Sequence, residues 1–172
     1  MNSTLRTLSL FVTLASTLCC GQMWGMGSGR QVSDQEKKQW EQDLIQAVRE
    51  NKKRLVKDLL ADQKGDINAY DENGWTALYF AIERGSLIEI VWRLLKAGAN
   101  PNIPTNEVFY RYPIHAAINR DRVGTLHLLV NHGANINATD PSGKTPFALA
   151  LQLNNAKCIK FLREHGAKVI AR

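Results

Sequence analysis

The stretch that decides the fold is GANINATDPSGKTP, at residues 133–146. Gly133 suits the left-handed backbone that ends many helices, and the Asp-Pro-Ser-Gly run at 140–143 has turn-forming composition. Thr145 and Pro146 suit the start of a helix, because a hydroxyl can cap free N–H groups and proline fits the first helical position. The stretch therefore predicts the end of one helix, an extended finger with a tight turn, and a second helix.

The same phrase recurs along the chain. It returns as GANPN at 98–102 and in weaker form as GDINAYDENGWTAL at 65–78, and it begins again at 166–167. Alanines follow it at spacings of 34, 36 and 33 residues, at Ala47, Ala81, Ala117 and Ala150. Asparagines recur at spacings of 34 and 35, at Asn68, Asn102 and Asn137. One turn phrase with a constant period indicates an internal repeat.

This repeat resembles the ankyrin repeat. The words TALYFA (76–81), YPIHAA (112–117) and TPFALA (145–150) are similar to the family phrase Thr-Pro-Leu-His-x-Ala. Tetratricopeptide repeats have a similar period but lack the Gly-Ala-Asn finger. The resemblance spans residues 36–172 and implies an all-α ankyrin-repeat solenoid of about four helix-turn-helix repeats with β-turn fingers. It also implies that His115 hydrogen-bonds the finger backbone.

Repeat boundaries follow from the fingers and the helical periodicity. We predict an amino-terminal cap repeat and a carboxy-terminal cap repeat on either side of two complete ones, at 36–70, 71–104, 105–139 and 140–172. Within them we expect helices at 36–50, 53–62, 76–84, 86–97, 113–120, 122–131, 146–152 and 155–165. Four helix pairs are sufficient for a stacked repeat fold, which needs about three repeats.

The amino terminus has a different pattern. Residues 1–21 contain a positive Arg6, an uncharged apolar run at 8–20 and small residues before an expected cleavage after Gly21. This pattern is typical of a secretory signal peptide, so we expect export across an inner membrane into a periplasm. The glycine-rich segment 22–35 reads as a flexible linker.

The cysteines leave alternatives open for the amino terminus. An uncleaved anchor is one, and a bacterial lipoprotein is another; membrane contact is expected only if Cys19 or Cys20 is lipidated. Removal of the leader would leave Cys158 without a disulfide partner in the chain. Its register on the last helix predicts a small core residue rather than a reactive thiol.

Composition argues against several functions. The net charge is +6 and the pI is about 9.4, a mildly basic balance that favours an acidic partner or an anionic surface. The basic residues are scattered apart from a cluster at 52–57, so a nucleic-acid interface is not predicted. The chain lacks a phosphate-binding glycine loop, a His-Glu-x-x-His motif and a serine elbow, and its histidines lack metal-ligand spacing. We therefore predict neither an enzyme nor a cofactor or metal site.

A partner-binding face is predicted instead. In ankyrin-like repeats the finger tips and the exposed side of the first helices line a concave face, and aromatic and arginine side chains dominate protein interfaces. Mapped by register, the expected partner-binding residues are Trp75, Phe80, Glu83, Arg84, Phe109, Tyr110, Arg111, Tyr112, Asn119, Arg120, Lys144 and Leu149. The register of Phe80 points outward, whereas Phe109 and Tyr112 have the alternative of filling the enlarged finger between repeats.

The resemblance implies protein recognition. Short ankyrin-like proteins with a bacterial-type leader resemble immunity proteins that occlude a secreted antibacterial toxin such as a lipase. They also resemble proteins that escort or support a periplasmic enzyme such as a peroxidase. We predict the immunity role, with the escort role as the alternative and contact of the basic outer helices with anionic lipid as a third class.

Overall fold

The computed structural model describes residues 32–85, 88–106 and 112–168, which contain eight helices. In chain order these are α1 Asp34–Arg49, α2 Lys53–Asp62, α3 Ala77–Arg84, α4 Ile88–Lys96, α5 Pro113–Asn119, α6 Val123–Asn131, α7 Pro146–Gln152 and α8 Ala156–Glu164. Within those ranges the only extended pairing is an isolated antiparallel bridge between Tyr70 and Thr76. The prediction of an all-helical repeat fold is thus confirmed for the described residues.

Side-chain caps determine where several helices begin. The Ser33 hydroxyl accepts a hydrogen bond from the Glu36 N–H (3.3 Å), and the Glu36 carboxylate accepts one from the Ser33 N–H (2.9 Å). This reciprocal capping box starts α1 at Asp34, two residues earlier than predicted and inside the segment expected to be a linker. Thr76 and Thr145 cap α3 and α7 without a reciprocal bond: their hydroxyls accept hydrogen bonds from the N–H groups of Tyr79 and Ala148, and the cap at Thr145 is the one that the Thr145-Pro146 pair predicts.

Left-handed residues reverse the chain between the helices of each pair. They occupy aligned positions, with φ of 54°, 81°, 49° and 55° at Asn51, Gly85, Asp121 and Asn154. Asparagine and aspartate tolerate this backbone region better than other non-glycine residues because their short polar side chains hydrogen-bond locally. The hairpin therefore keeps its geometry where glycine is absent.

The helices stack in two layers. The inner layer contains α1, α3, α5 and α7, each in contact with the next, and the outer layer contains α2, α4, α6 and α8 in the same order. The four aligned alanines at 47, 81, 117 and 150 are all at most 1% exposed. A residue this small lets neighbouring inner helices approach closely, which explains why it recurs with the repeat period.

Asparagine side chains connect successive fingers. Three hydrogen bonds of this kind run from Asn100 N to Asn68 Oδ1 (2.8 Å), from Asn135 N to Asn102 Oδ1 (2.7 Å) and from Lys168 N to Asn137 Oδ1 (2.8 Å). Asn102 also donates its Nδ2 to the Gly133 carbonyl at 2.9 Å. Each asparagine accepts a hydrogen bond from the next repeat. The spacing between the asparagines therefore has to match the length of the repeat.

Cys158 lies in the core, as its register predicts. It is fully buried in α8, and its Sγ lies 3.6 Å from Asp121 Oδ1 in the preceding repeat. Burial and the neighbouring Asp121 carboxylate raise the pKa of the thiol to about 12. The nucleophilic thiolate is therefore disfavoured in the folded protein.

Several predictions fall outside the described residues. These are the signal peptide at 1–21, most of the linker at 22–35, and the expected contact residues Phe109, Tyr110 and Arg111. Across the described ranges, we find no helix with the length and apolar character that crossing a membrane requires.

Candidate functional site

The candidate site is built on finger turns held by aspartate. In the second repeat, Asp71 Oδ1 accepts hydrogen bonds from the N–H groups of Asn73 (2.9 Å) and Trp75 (2.8 Å). In the fourth, Asp140 Oδ1 accepts from the N–H groups of Ser142 (2.9 Å) and Lys144 (2.9 Å). The two carboxylates give the turns the same shape, so Trp75 and Lys144 occupy equivalent positions at the base of their fingers.

An aromatic cluster lies where the second finger meets α3. The Trp75 ring is half-buried and lies 5.2 Å from the Tyr79 ring and 5.7 Å from the Phe80 ring, between centroids. Two guanidinium groups cover Phe80: the Cζ of Arg49 is 5.1 Å and the Cζ of Arg84 is 5.3 Å from the ring centroid. We call Arg49, Trp75, Phe80 and Arg84 the arginine–aromatic patch.

Phe80 does not point outward as its register suggests. It is only 5% exposed, because Arg49 and Arg84 cover the ring. A partner that approaches this face therefore meets the two guanidinium groups and the edge of Trp75 before it reaches Phe80. The expectation of an exposed Phe80 was wrong, although the residue is part of the patch.

Arg49 is a member of the patch that the sequence analysis missed. It extends from α1 and its Nη2 lies 3.0 Å from Asp71 Oδ2, a carboxylate whose side chain is 8% exposed. The same Asp71 therefore shapes the finger turn and orients the arginine over Phe80. The repeat alignment could have identified it. Arg49 lies 34 residues before Glu83, at the same helical position, and Glu83 was predicted on the binding face.

Glu83 and Arg120, both expected on the face, pair with each other. Arg120 donates its Nε to Glu83 Oε1 at 3.1 Å, and its Nη2 contacts the same oxygen. The pair joins α3 to α5, with the Glu83 side chain 18% and the Arg120 side chain 47% exposed. The pair connects adjacent repeats, and the Arg120 side chain remains partly exposed on the surface.

The remaining predicted residues are divided between surface and core. Tyr112 is half-buried at the start of α5, with its ring 5.9 Å from that of His115. Lys144 donates its Nζ to Gln152 Oε1 (2.7 Å), and Asn119 is partly exposed. Leu149 is buried at 5% exposure, so its expected place on the surface was wrong. It shares the helical register of Phe80, and at this position both side chains lie inside the packed repeat.

His115 is fully buried and lies near the fourth finger. Burial lowers the pKa of its ring, whereas the backbone of Lys144 and Ala138 and the Asp140 carboxylate favour the protonated form to a smaller extent. The ring thus faces the finger backbone as the resemblance implies, but neither nitrogen reaches good hydrogen-bond geometry. A neutral imidazole in this position supports the fingers rather than contacting a partner.

Three arginines provide hydrogen-bond donors on this face. Arg84 is exposed and forms no ion pair among the described residues, whereas Arg49 and Arg120 each share a carboxylate within the protein. Guanidinium groups bind carboxylates bidentately. Across the described ranges no three His, Cys, Asp or Glu residues are grouped as metal ligands. The arrangement is suited to recognition of an acidic surface.

A known protein family matches this chain. The family model described as "Ankyrin repeats (3 copies)" matches residues 44–107 and 85–172. These ranges include all the fingers described above and every helix from α2 to α8.

Individual relatives are longer proteins of several kinds. An ankyrin repeat protein of fowlpox virus is 28% identical over 74% of this chain, which corresponds to 20% of the viral protein. The Neurogenic locus Notch protein of Drosophila melanogaster is 39% identical over 58% of this chain and 4% of its own length. Rabankyrin-5 of Homo sapiens is 39% identical over 62% of this chain and 9% of its own length. The chain thus spans a fifth or less of these relatives.

Proposed function

The chain belongs to the ankyrin-repeat family, whose repeats form protein–protein interaction modules, and on that premise we propose that its arginine–aromatic patch binds an acidic surface of a partner protein. The observation that carries the proposal is the covered ring of Phe80, with Arg49 and Arg84 on it and Trp75 beside it. Tryptophan, tyrosine and arginine are the residues most enriched among those that dominate binding energy.

The patch is organised before a partner arrives. Asp71 holds Arg49, and the aromatic cluster supports both guanidinium groups through cation–π contacts. A side chain that is already ordered loses less conformational entropy on binding. Carboxylates of a partner could therefore pair with Arg84 and with the free edge of Arg49 at a low ordering penalty.

We propose further that the partner is a secreted lipase-type toxin and that the chain is an immunity protein acting in the periplasm. The signal-peptide pattern at 1–21 and the short repeat array support this assignment. Inhibition would be steric, because a rigid face that covers about 800 Å² of the toxin around its cleft, a standard interface, keeps substrate out. The chain itself would supply no catalytic group.

The test uses the full chain with a carboxy-terminal tag, produced in its source organism and purified from the envelope fraction. The parent is compared with an Arg49→Ala/Arg84→Ala variant and with a Lys157→Ala/Lys160→Ala control, which removes the same charge from exposed positions on α8. We expect the parent and the control to retain one hydrolase that the patch variant loses. Purified chain should then abolish the activity of that hydrolase at a stoichiometric ratio.

Other outcomes separate the parts of the proposal. A captured enzyme that stays fully active in saturating chain would refute the inhibitor role and favour the escort alternative. Equal loss of the enzyme from the patch variant and the control would mean that net charge, rather than the arginine–aromatic patch, governs binding. Recovery of the tagged chain only from the cytoplasm would refute the periplasmic assignment.

A further inference from the structure

A second surface feature lies in the outer layer, away from the fingers. A groove of about 260 Å³ runs between α2 and α4, and we call it the outer groove. The side chains that form it include Lys57, Leu60 and Ala61 on α2 and Trp92, Arg93 and Lys96 on α4. The arginine–aromatic patch involves α1, α3 and the second finger, so the two features use different elements of the same repeats.

Every polar side chain in the outer groove is a hydrogen-bond donor. Lysine, arginine and the tryptophan indole have no acceptor atoms. Lys57 and Lys96 form no ion pair among the described residues, whereas Arg93 uses its Nη2 on Glu89 at 2.9 Å and keeps a buried Nε without a partner. A ligand that complements the groove must therefore supply acceptors, and carboxylates are the acceptors that also match its charge.

Trp92 adds an apolar contact surface to these donors. It is 40% exposed, although Ile90, Val91, Leu94 and Leu95 of the same helix are at most 4% exposed. Trp92 is thus packed less completely than its apolar neighbours on α4. The Lys96 Nζ lies 5.0 Å from the Trp92 ring centroid, so an apolar surface and an ammonium group are presented together. Leu60 is half-buried on the opposite side of the groove.

We propose that the outer groove is a second docking site, and that it binds an acidic peptide segment of a partner protein with one apolar side chain between Trp92 and Leu60. Carboxylates on either side of that apolar residue pair with Lys57 and Lys96. Charge complementarity identifies this occupant, because the polar side chains that line the groove are all donors and neither Lys57 nor Lys96 is paired with a carboxylate among the described residues. The inference does not depend on the proposed function, since it concerns other residues and another helix layer.

A membrane surface fits the outer groove less well. The feature is concave, whereas a bilayer is flat on this scale. The outer layer is also not uniformly basic, because α2 exposes Asp58 and Asp62, of which Asp62 is paired with Lys64 at 2.8 Å.

The experiment measures binding of short dye-labelled peptides to the full chain by fluorescence anisotropy. The peptides vary in their number of glutamates and have Phe, Leu or Ala at the centre. We expect acidic peptides with a central Phe or Leu to bind, and Ala at the centre to weaken binding. Trp92→Ala and Lys57→Glu/Lys96→Glu should each reduce affinity about tenfold or more, as is usual for central interface residues.

A matched control and a second ligand make the result decisive. Lys160→Glu/Arg163→Glu changes the net charge equally on α8, and it should alter affinity by no more than about twofold. Trp92→Phe should retain most of the binding, and thermal unfolding confirms that each variant is folded. The proposal is overturned if no acidic peptide distinguishes the parent from the Lys57→Glu/Lys96→Glu variant, or if the control loses as much affinity. Tight binding to phosphatidylglycerol vesicles without peptide binding would assign the groove to a membrane and overturn it as well.

Discussion

Replacing Asn102 by alanine removes two hydrogen bonds that connect the third finger to the fourth. The lost contacts are the acceptor for Asn135 N at 2.7 Å and the donor to the Gly133 carbonyl at 2.9 Å. Both backbone partners are on exposed residues, so water can replace the missing side chain. A net contribution of about 0.5–1.5 kcal/mol for each bond predicts a loss of about 1–3 kcal/mol in the free energy of unfolding.

Urea unfolding followed by circular dichroism measures this loss, and two other asparagines provide controls. Asn137→Ala removes one inter-finger bond, to Lys168 N, and should lose about half as much free energy. Asn131→Ala changes an exposed residue at the end of α6 and should stay within about 0.5 kcal/mol of the parent. The reasoning fails if Asn102→Ala is no more destabilising than Asn131→Ala, because the finger bonds would then contribute nothing to coupling between repeats.

Three further predictions concern buried or constrained residues. Cys158, with its pKa raised to about 12, should resist a maleimide in the native protein and react on unfolding, as peptide mapping by mass spectrometry would show; rapid native labelling would contradict its burial. Burial lowers the pKa of His115 in the folded protein. As the pH falls through about 6.5, the unfolded state therefore binds more protons than the folded state, and the free energy of unfolding decreases. The stability difference between the parent and His115→Gln should therefore shrink below that pH in urea titrations; a constant difference would show that the ring does not titrate on unfolding. Gly74→Ala and Gly143→Ala should each lose about 1 kcal/mol, because both glycines have positive φ (75° and 79°) and the Asn106 amide that a Cβ at position 74 would meet is the end of a flexible side chain; thermal shifts no larger than that of Asn131→Ala would contradict this strain.

The sequence predicts the course of the backbone well because its signals are local. Thr145-Pro146 caps α7 as predicted, and Cys158 and the aligned alanines lie in the core. The start of α1 was predicted two residues too late, although its signal is also local. The Ser33–Glu36 capping box is present in the sequence, but Ser33 was assigned to the linker. Predicting the helices and turns required only neighbouring residues and the repeat period.

The candidate site was predicted less completely because its contacts cross repeats. Arg49 reaches Asp71 over 22 positions, and Arg120 reaches Glu83 over 37. Register places Phe80 and Leu149 on a helix face, but it does not show which long side chains from neighbouring helices cover that face. For this reason a correct repeat alignment still misjudged the exposure of Phe80, which Arg49 covers from α1.

By itself, then, the sequence determined the repeat, its turns and the residues that recur at its period. Turn formation and periodic burial depend on residues that are close together in the chain. Only the tertiary structure decided that Arg49 covers Phe80, that Glu83 is paired with Arg120 and that a donor-lined groove opens beside Trp92. These features depend on the directions of side chains brought together by stacking. Two residues on different repeats become neighbours only when the helices between them are packed.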